Sequence, residues 1–313
     1  VAFKNLGIAV IDEQHRFGVH QRLLLAAKTE AQAGDTNTLL MTATPIPRTL
    51  SLTAYGDMDV SRIMSKPPGR QPVDTRTIPI ARLDEVAESM RRAIDSSARI
   101  YWVCPLVSES ELIDLAAAED RAVDLRKRFG KRVGLAHGQM KGAERDDVMA
   151  RFAAGDLDIL VATTVIEVGV DVPEATVMII EHAERFGLAQ LHQLRGRVGR
   201  GSQQSTCLLL YAQPLGETAQ ARLAIMRGTD DGFRIAEEDL RLRGAGEVLG
   251  TRQSGLPDFR LADVEAHGDL LQTASDDARA ILETDPELTG PRGRALRVLL
   301  YLFERDAAVR YLR

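Results

Sequence analysis

The chain has 313 residues, 44% hydrophobic and 27% charged, enough for two domains that bury a substantial core. Its 40 Lys and Arg against 45 Asp and Glu leave a net charge of −5, which excludes a broadly basic coat, so any DNA contact must come from arginines gathered on one face. No apolar run approaches the ~20 residues of a membrane span, and no Cys/His spacing makes a zinc site.

The first apolar run, Leu6-Gly7-Ile8-Ala9-Val10-Ile11, lacks a helical period and fits a buried parallel strand. It ends in Asp12-Glu13-Gln14-His15. Paired carboxylates at the C-terminal edge of such a strand lie where open α/β sheets bind ligands. One can hold Mg²⁺, directly or through water, while the other polarises an attacking water. The plainer alternative is a pair that caps the strand. A helix near Gln21–Ala33 follows, then a strand Thr38–Met41 that delivers Thr42-Ala43-Thr44. Pro45 and Pro47 stop that strand and open a helix around Arg48–Tyr55. Thr42 and Thr44 place hydroxyls at the same edge as Glu13, or serve as local backbone caps.

Lys66-Pro67-Pro68-Gly69-Arg70-Gln71-Pro72 reads as a linker. Beyond it strands are expected at Thr75–Ile80, Ile100–Cys104, Arg132–Ala136, Asp158–Ala162, Val177–Ile180 and Thr206–Leu210. Helices are expected at Leu83–Ile94, Ser110–Phe129 and Gly142–Phe152. Strands alternating with helices of this length imply a parallel sheet. Cys104 and Cys207 sit in two of the apolar runs, as buried reduced thiols do in a cytoplasmic protein. Trp102 alternates with apolar neighbours as a core residue does. His137 at a strand end is either structural or a backbone contact, and Glu181-His182-Ala183-Glu184-Arg185 receives no catalytic role.

The densest stretch is Val161 to Gly201. A strand end runs into Thr163, Thr164, Glu167, Gly169 and Asp171, and a short helix leads to Gln193-Leu194-Arg195-Gly196-Arg197-Val198-Gly199-Arg200-Gly201. Arg197 and Arg200 are three apart, so one helical turn would set both guanidiniums on one side. Gly196, Gly199 and Gly201 remove bulk where a phosphate-bearing partner would approach. A fork of fixed positive charge suits a transferring phosphoryl group; a solvated basic helix is the bland alternative.

A helix near Glu217–Met226, a Gly/Asp turn at Arg227–Gly232 and a helix near Phe233–Arg241 form a hairpin able to act as a lever. The loop from Arg243 to Gly255 carries four glycines together with Arg252 and Gln253. Residues 263–313 read as helices broken near Thr284–Pro291, with Leu296, Leu299, Leu300 and Phe303 at helical spacing.

In combination these segments resemble superfamily 2 helicases. Asp12–His15 is similar to motif II, Thr42–Thr44 to motif III, Val161–Asp171 to motif V and Gln193–Arg200 to motif VI. More narrowly, Asp12–Val19 and Gly250-Thr251-Arg252-Gln253-Ser254-Gly255 resemble the RecG family of DNA-repair helicases; a transcription-repair coupling translocase and a non-catalytic nucleic-acid-binding module are the rivals.

The resemblance implies an α/β chain of RecA-like parallel-sheet motor domains followed by a helical hairpin and C-terminal helices. Residues 1–66 would be the C-terminal part of motor domain 1, 67–211 motor domain 2, 212–262 a translocation hairpin and loop, and 263–313 a C-terminal helical segment. It implies ATP and Mg²⁺ as cofactors and branched or duplex DNA as partner, with a monomer acting. Asp12, Glu13, Gln14, His15, Arg197 and Arg200 would be catalytic, with Asp12 the metal ligand. Thr42, Thr44, Gly169, Asp171 and Gln193 would bind or sense nucleotide, and Thr163, Thr164, Arg243, Arg252 and Gln253 would contact or drive DNA. No Gly-x-x-x-x-Gly-Lys-Ser/Thr phosphate loop occurs in these residues. The family carries that loop and a DNA-wedge domain ahead of motif II, so this chain is expected to be a fragment that does not hydrolyse ATP alone.

Overall fold

Runs such as Ile159-Leu160-Val161-Ala162 have no polar face to give to water, and all four of these side chains are buried. That is the pattern of a strand covered by helices on both sides. The computed structural model describes residues 7–13, 37–43, 60–65, 67–105, 111–163, 172–243 and 267–303. Within them a wholly parallel six-stranded sheet forms from β3 (Val73–Pro79), β4 (Arg99–Val103), β5 (Val133–Ala136), β6 (Ile159–Ala162), β7 (Ala175–Ile180) and β8 (Ser205–Tyr211). Their spatial order is β3-β8-β7-β4-β6-β5.

The period-2 alternation of each strand divides the core into two layers. Ile100, Trp102, Ile159, Val161, Ile179 and Leu210 meet Val86 and Met90 of helix α1 (Leu83–Asp95) and Ala118, Ala122 and Leu125 of α2 (Glu111–Phe129). On the opposite face Tyr101, Leu160, Met178, Ile180 and Leu209 meet the other helices. These are Phe152 of α3 (Gly142–Ala154), Leu188 and Leu191 of α4 (Leu188–Arg195), Met226 of α5 (Glu217–Gly228) and Ile235 of α6 (Gly232–Arg243). The strands and helices expected here all form, with ends shifted by one or two residues. Cys104 and Cys207 are buried and free, and burial pushes both thiols up, that of Cys207 to about 12.

The two strands nearest the start of the chain form a separate parallel pair, β1 (Ile8–Ile11) with β2 (Asn37–Leu40). Here the expectation of a fully buried strand is corrected. Ala9 and Ile11 are buried at 8% and 6% exposure, whereas Ile8 and Val10 are each 56% exposed. The run has no polar face, but it is covered on one side only. The helices expected at Gln21–Ala33 and Arg48–Tyr55 lie outside the described residues.

Near the end of the chain, α7 (Gly268–Thr284) and α8 (Pro291–Leu302) flank the expected break. Asp285 organises it, accepting from the Thr289 and Gly290 amides at 2.8 and 2.9 Å, which holds its carboxyl below the usual range. Val298, Leu299, Tyr301 and Leu302 of α8 remain exposed.

One buried carboxylate ties the six-stranded sheet to its helices. Glu181, at the end of β7, accepts from Trp102 Nε1 at 2.8 Å and from Arg121 Nε and Nη2 at 2.9 and 2.7 Å. The Arg121 guanidinium also stacks over the Trp102 ring, 5.4 Å from its centroid. A buried pair is costly to break because it strands the surviving charge. Glu181→Ala is expected to lower unfolding stability by about 3 kcal/mol, and Glu181→Gln by less. Urea unfolding followed by fluorescence of Trp102, the one tryptophan, checks this directly.

Candidate active site

Parallel pairing fixes the first half of the site. Ile11 is in register with Leu40, and the Met41 amide donates to the Ile11 carbonyl at 2.8 Å. Asp12 and Met41 therefore leave the ladder side by side, with Glu13 and Thr42 next along each strand. Asp12 is exposed, and its Oδ1 accepts from the Glu13 amide at 2.8 Å. Glu13 is half-buried and adopts φ of 50°, in the left-handed region. For a residue other than glycine this costs on the order of 1 kcal/mol and recurs at functional sites. It ends the strand abruptly and holds the carboxylate at its edge. Among the described residues no cluster of three or more acidic, His or Cys side chains could hold a metal. Mg²⁺ needs only one or two carboxylates when substrate phosphates and water complete its shell. Asp12 and Glu13 fit that arrangement.

The arginine segment departs from expectation. Helix α4 ends at Arg195 with Gly196 as its C-cap, so Arg197 and Arg200 lie in the loop beyond it and not on one helical turn. Gly199, at φ of 74°, turns that loop back toward β3, and a Cβ there would come within 2.8 Å of Val73 Cγ2. A Cβ on Gly201 would meet the Pro173 carbonyl at 3.2 Å. These two glycines make room for the chain's own packing, which replaces the expectation that they clear space for a phosphate. Arg197 is half-buried and Arg200 exposed, with Arg200 Nε donating to the Gly196 carbonyl at 3.3 Å; Gln193 is half-buried on α4.

Arg195 is a different kind of arginine. It is 3% exposed and donates to the carbonyls of Met226 and Thr229 at 2.8 and 2.9 Å. Its Nη2 lies 3.1 Å from His192 Nδ1. A guanidinium on the last carbonyls of α5 caps that helix with the favoured sign of charge. Burial, aided by Arg195 and Arg70 and opposed by Asp230 and Asp231, pushes His192 down to about 4. The ring is thus neutral near pH 7 and can accept. A signal for Arg195 existed: Leu188, Leu191 and Arg195 fall at i, i+3 and i+7, the core stripe of the helix.

Arg222 adds a second staple, from α5 to the carbonyls of Phe186 and Glu184 at 2.8 and 3.1 Å. The hairpin turn is closed as its Gly/Asp composition suggested, with Asp231 Oδ1 accepting from the Phe233 amide at 2.9 Å at the start of α6. No motif in the sequence pointed to Arg222.

Thr163 follows β6 and is 2% exposed, its amide donating to Ala136 at 3.3 Å; Arg243 is the last residue of α6. Gln14, His15, Thr44, Thr164, Gly169, Asp171, Arg252 and Gln253 lie outside the described residues. The structure thus gathers Asp12, Glu13 and Thr42 at one strand edge, and Gln193, Arg197 and Arg200 on α4 and its loop.

The sequence and fold of this chain have counterparts among known proteins. Residues 84–202 match the helicase conserved C-terminal domain, and residues 229–304 match the family "ATP-dependent DNA helicase RecG, domain 3, C-terminal". The chain is 54% identical over 288 residues to the ATP-dependent DNA helicase RecG of Acidithiobacillus ferridurans, covering 92% of this chain and 42% of the relative. Against RecG of Escherichia coli K12 it is 52% identical over 289 residues, with the same coverage. The chain therefore spans less than half the length of these relatives. A solved structure of RecG bound to a three-way DNA junction superposes with a TM-score of 0.65 at 46% identity, covering 87% of this chain and 34% of that one. The helicase MrfA bound to DNA, 18% identical with a TM-score of 0.53 over 76% of this chain and 35% of that one, shares the fold.

Two outcomes follow from the arginine segment. His192 is lowered when folded, so the unfolded state binds more protons between pH 6.5 and about 4. Stability should therefore fall as pH drops through that window, by up to roughly 3 kcal/mol, and His192→Gln should flatten the slope seen in denaturant titrations at each pH. Gly199→Ala should destabilise by about 1–3 kcal/mol through both φ and contact. Adding Val73→Ala should recover the contact part alone.

Proposed function

The chain is a homologue of the ATP-dependent DNA helicase RecG along 92% of its length, and from that premise we propose that it forms the second half of an ATP-driven motor acting on duplex and branched DNA. Residues 1–66 belong to motor domain 1, 67–211 to motor domain 2, 212–262 to a translocation hairpin and its loop, and 263–313 to a C-terminal helical segment. The activity is remodelling of stalled replication forks and Holliday junctions in repair and recombination, with a monomer acting in the cytoplasm. The match of residues 229–304 to a RecG domain supports this reading over a transcription-repair coupling translocase.

The observation that carries the proposal is the carboxylate pair at the edge of β1, with its left-handed Glu13, matched in chemistry by the arginine loop that follows α4. Asp12 would hold Mg²⁺, together with the phosphates of ATP. The metal supplies neutralisation of phosphate charge when bound. Glu13 would orient a water and take its proton as the γ-phosphate is attacked. Arg197 and Arg200 would meet the charge that develops on the transferring group, and Thr42 and Gln193 would report nucleotide to the rest of the motor. Hydrolysis would then need both sheets brought to one nucleotide, which couples chemistry to domain closure. Arg195 bonds the end of α4 to the turn of the α5–α6 hairpin, and through that hairpin closure would be passed to the residues proposed to act on DNA, Arg243, Arg252 and Gln253.

The test is ATP hydrolysis by this chain and by the same chain extended upstream, each with and without branched DNA. Turnover by the extended chain alone, stimulated by DNA, is expected; turnover by the short chain would sink the division of labour. In the extended enzyme Glu13→Gln, Arg197→Ala and Arg200→Ala should each lower kcat about a thousandfold. Arg252→Ala or Gln253→Ala should impair fork unwinding more than hydrolysis.

A further inference from the structure

The proline-rich entry to motor domain 2 has the composition of a slack tether, yet its described end is closed. The Arg70 amide donates to the Pro67 carbonyl at 3.3 Å, and Gly69 has φ of 83°. Proline second and a left-handed glycine third make a type II turn. From that turn the Arg70 side chain reaches across 126 positions of sequence, Nη2 donating to the Gly196 carbonyl at 3.4 Å. The same oxygen accepts Arg200 Nε at 3.3 Å. Beside it the arginine loop is wedged on the entering strand, the Cβ site of Gly199 lying 2.8 Å from Val73 and 3.8 Å from the Gln71 carbonyl.

We propose that Arg70 is a positioning residue for Arg200, tying the arginine loop to the interdomain linker. A carbonyl has two lone pairs, and here each is claimed by a guanidinium. When Arg200 turns from Gly196 to a phosphoryl oxygen, Arg70 keeps the half-buried carbonyl satisfied, so the departure leaves no orphaned acceptor. Two cations sharing one oxygen also repel each other, which favours release of the more exposed Arg200 toward an anion. Because Arg70 sits in a rigid turn of the linker, the setting of Arg200 follows the linker's own position, and hence the relation of the two motor domains. The proposal rests on the reading of Arg200 as a phosphate-facing group.

The test uses the intact enzyme with its upstream domains, as Arg70→Ala, Arg200→Ala and the double variant, in DNA-stimulated ATP hydrolysis. Arg70→Ala should lower kcat roughly ten- to a hundredfold while leaving KM for ATP and the melting temperature close to wild type. In the Arg200→Ala background the same change should cost nothing further, since Arg70 acts through Arg200. Arg70→Lys, which keeps one donor, should recover part of the rate. Full additivity of the two losses, a raised KM with normal kcat, or wild-type turnover in Arg70→Ala would each overturn the proposal. Wild-type turnover in Arg200→Ala would overturn it by a separate route, by removing the role of Arg200 itself.

Discussion

A permanently charged side chain in a protein interior must have its donors met, or the fold loses several kcal/mol. Arg195 is that side chain here, and the junction of α4 with α5 and the turn after it is arranged around meeting it. Its guanidinium takes the Met226 carbonyl near the end of α5 and the Thr229 carbonyl in the hairpin turn, and it requires a neutral His192 beside it. This fixes the end of α4, and the loop bearing Arg197 and Arg200 starts at the next residue. The far side of that loop is fixed again where Gly199 meets Val73. A group that is to meet a developing charge must be held before the charge appears, and a loop anchored at both ends is one way to hold it.

The carboxylates are positioned by another means. Asp12 and Glu13 gain their place from strand register and from one left-handed residue, with a backbone amide bonded to the first acid. Strain of this kind is stable only where surrounding structure insists on it. The acids thus stand at the edge of the β1–β2 pair and the arginines in the loop after α4, so the proposed site would be complete only when both parts meet one nucleotide.

The sequence made the parallel sheet legible because its strands are apolar on both faces and alternate with long helices, and because Gly and Asp punctuate the hairpin. Asp12, Glu13, Arg197 and Arg200 stood out as motif residues, and the chemistry proposed for them rests on those motifs. Less visible was which arginine does what. Three arginines among glycines look equivalent in sequence, yet one is core, one half-buried and one exposed. Helical period could assign only Arg195, since Gly196 ends the helix and the following residues obey no period. The partners of Arg70 and Glu181 were out of reach because their separations, 126 and 60–79 positions, exceed anything local pattern can encode. The exposed face of β1 was hidden for a related reason: an apolar residue states a preference for cover, not whether cover is present.

The same distinction changes what the net charge of −5 means. Arg70, Arg99, Arg126, Arg132, Arg195 and Arg222 all donate to main-chain carbonyls, and Arg121 is taken up by Glu181. These cations act as fasteners, chosen because a planar fork can hold two acceptors at once. Each such arginine still counts in the total but is poorly placed to neutralise a phosphate. Only cations free to face the duplex release counterions and set the salt dependence of binding. A whole-chain tally therefore neither argues for a nucleic-acid surface nor against one. What matters is which cations the fold turns toward a duplex, and a sum over the sequence does not give that.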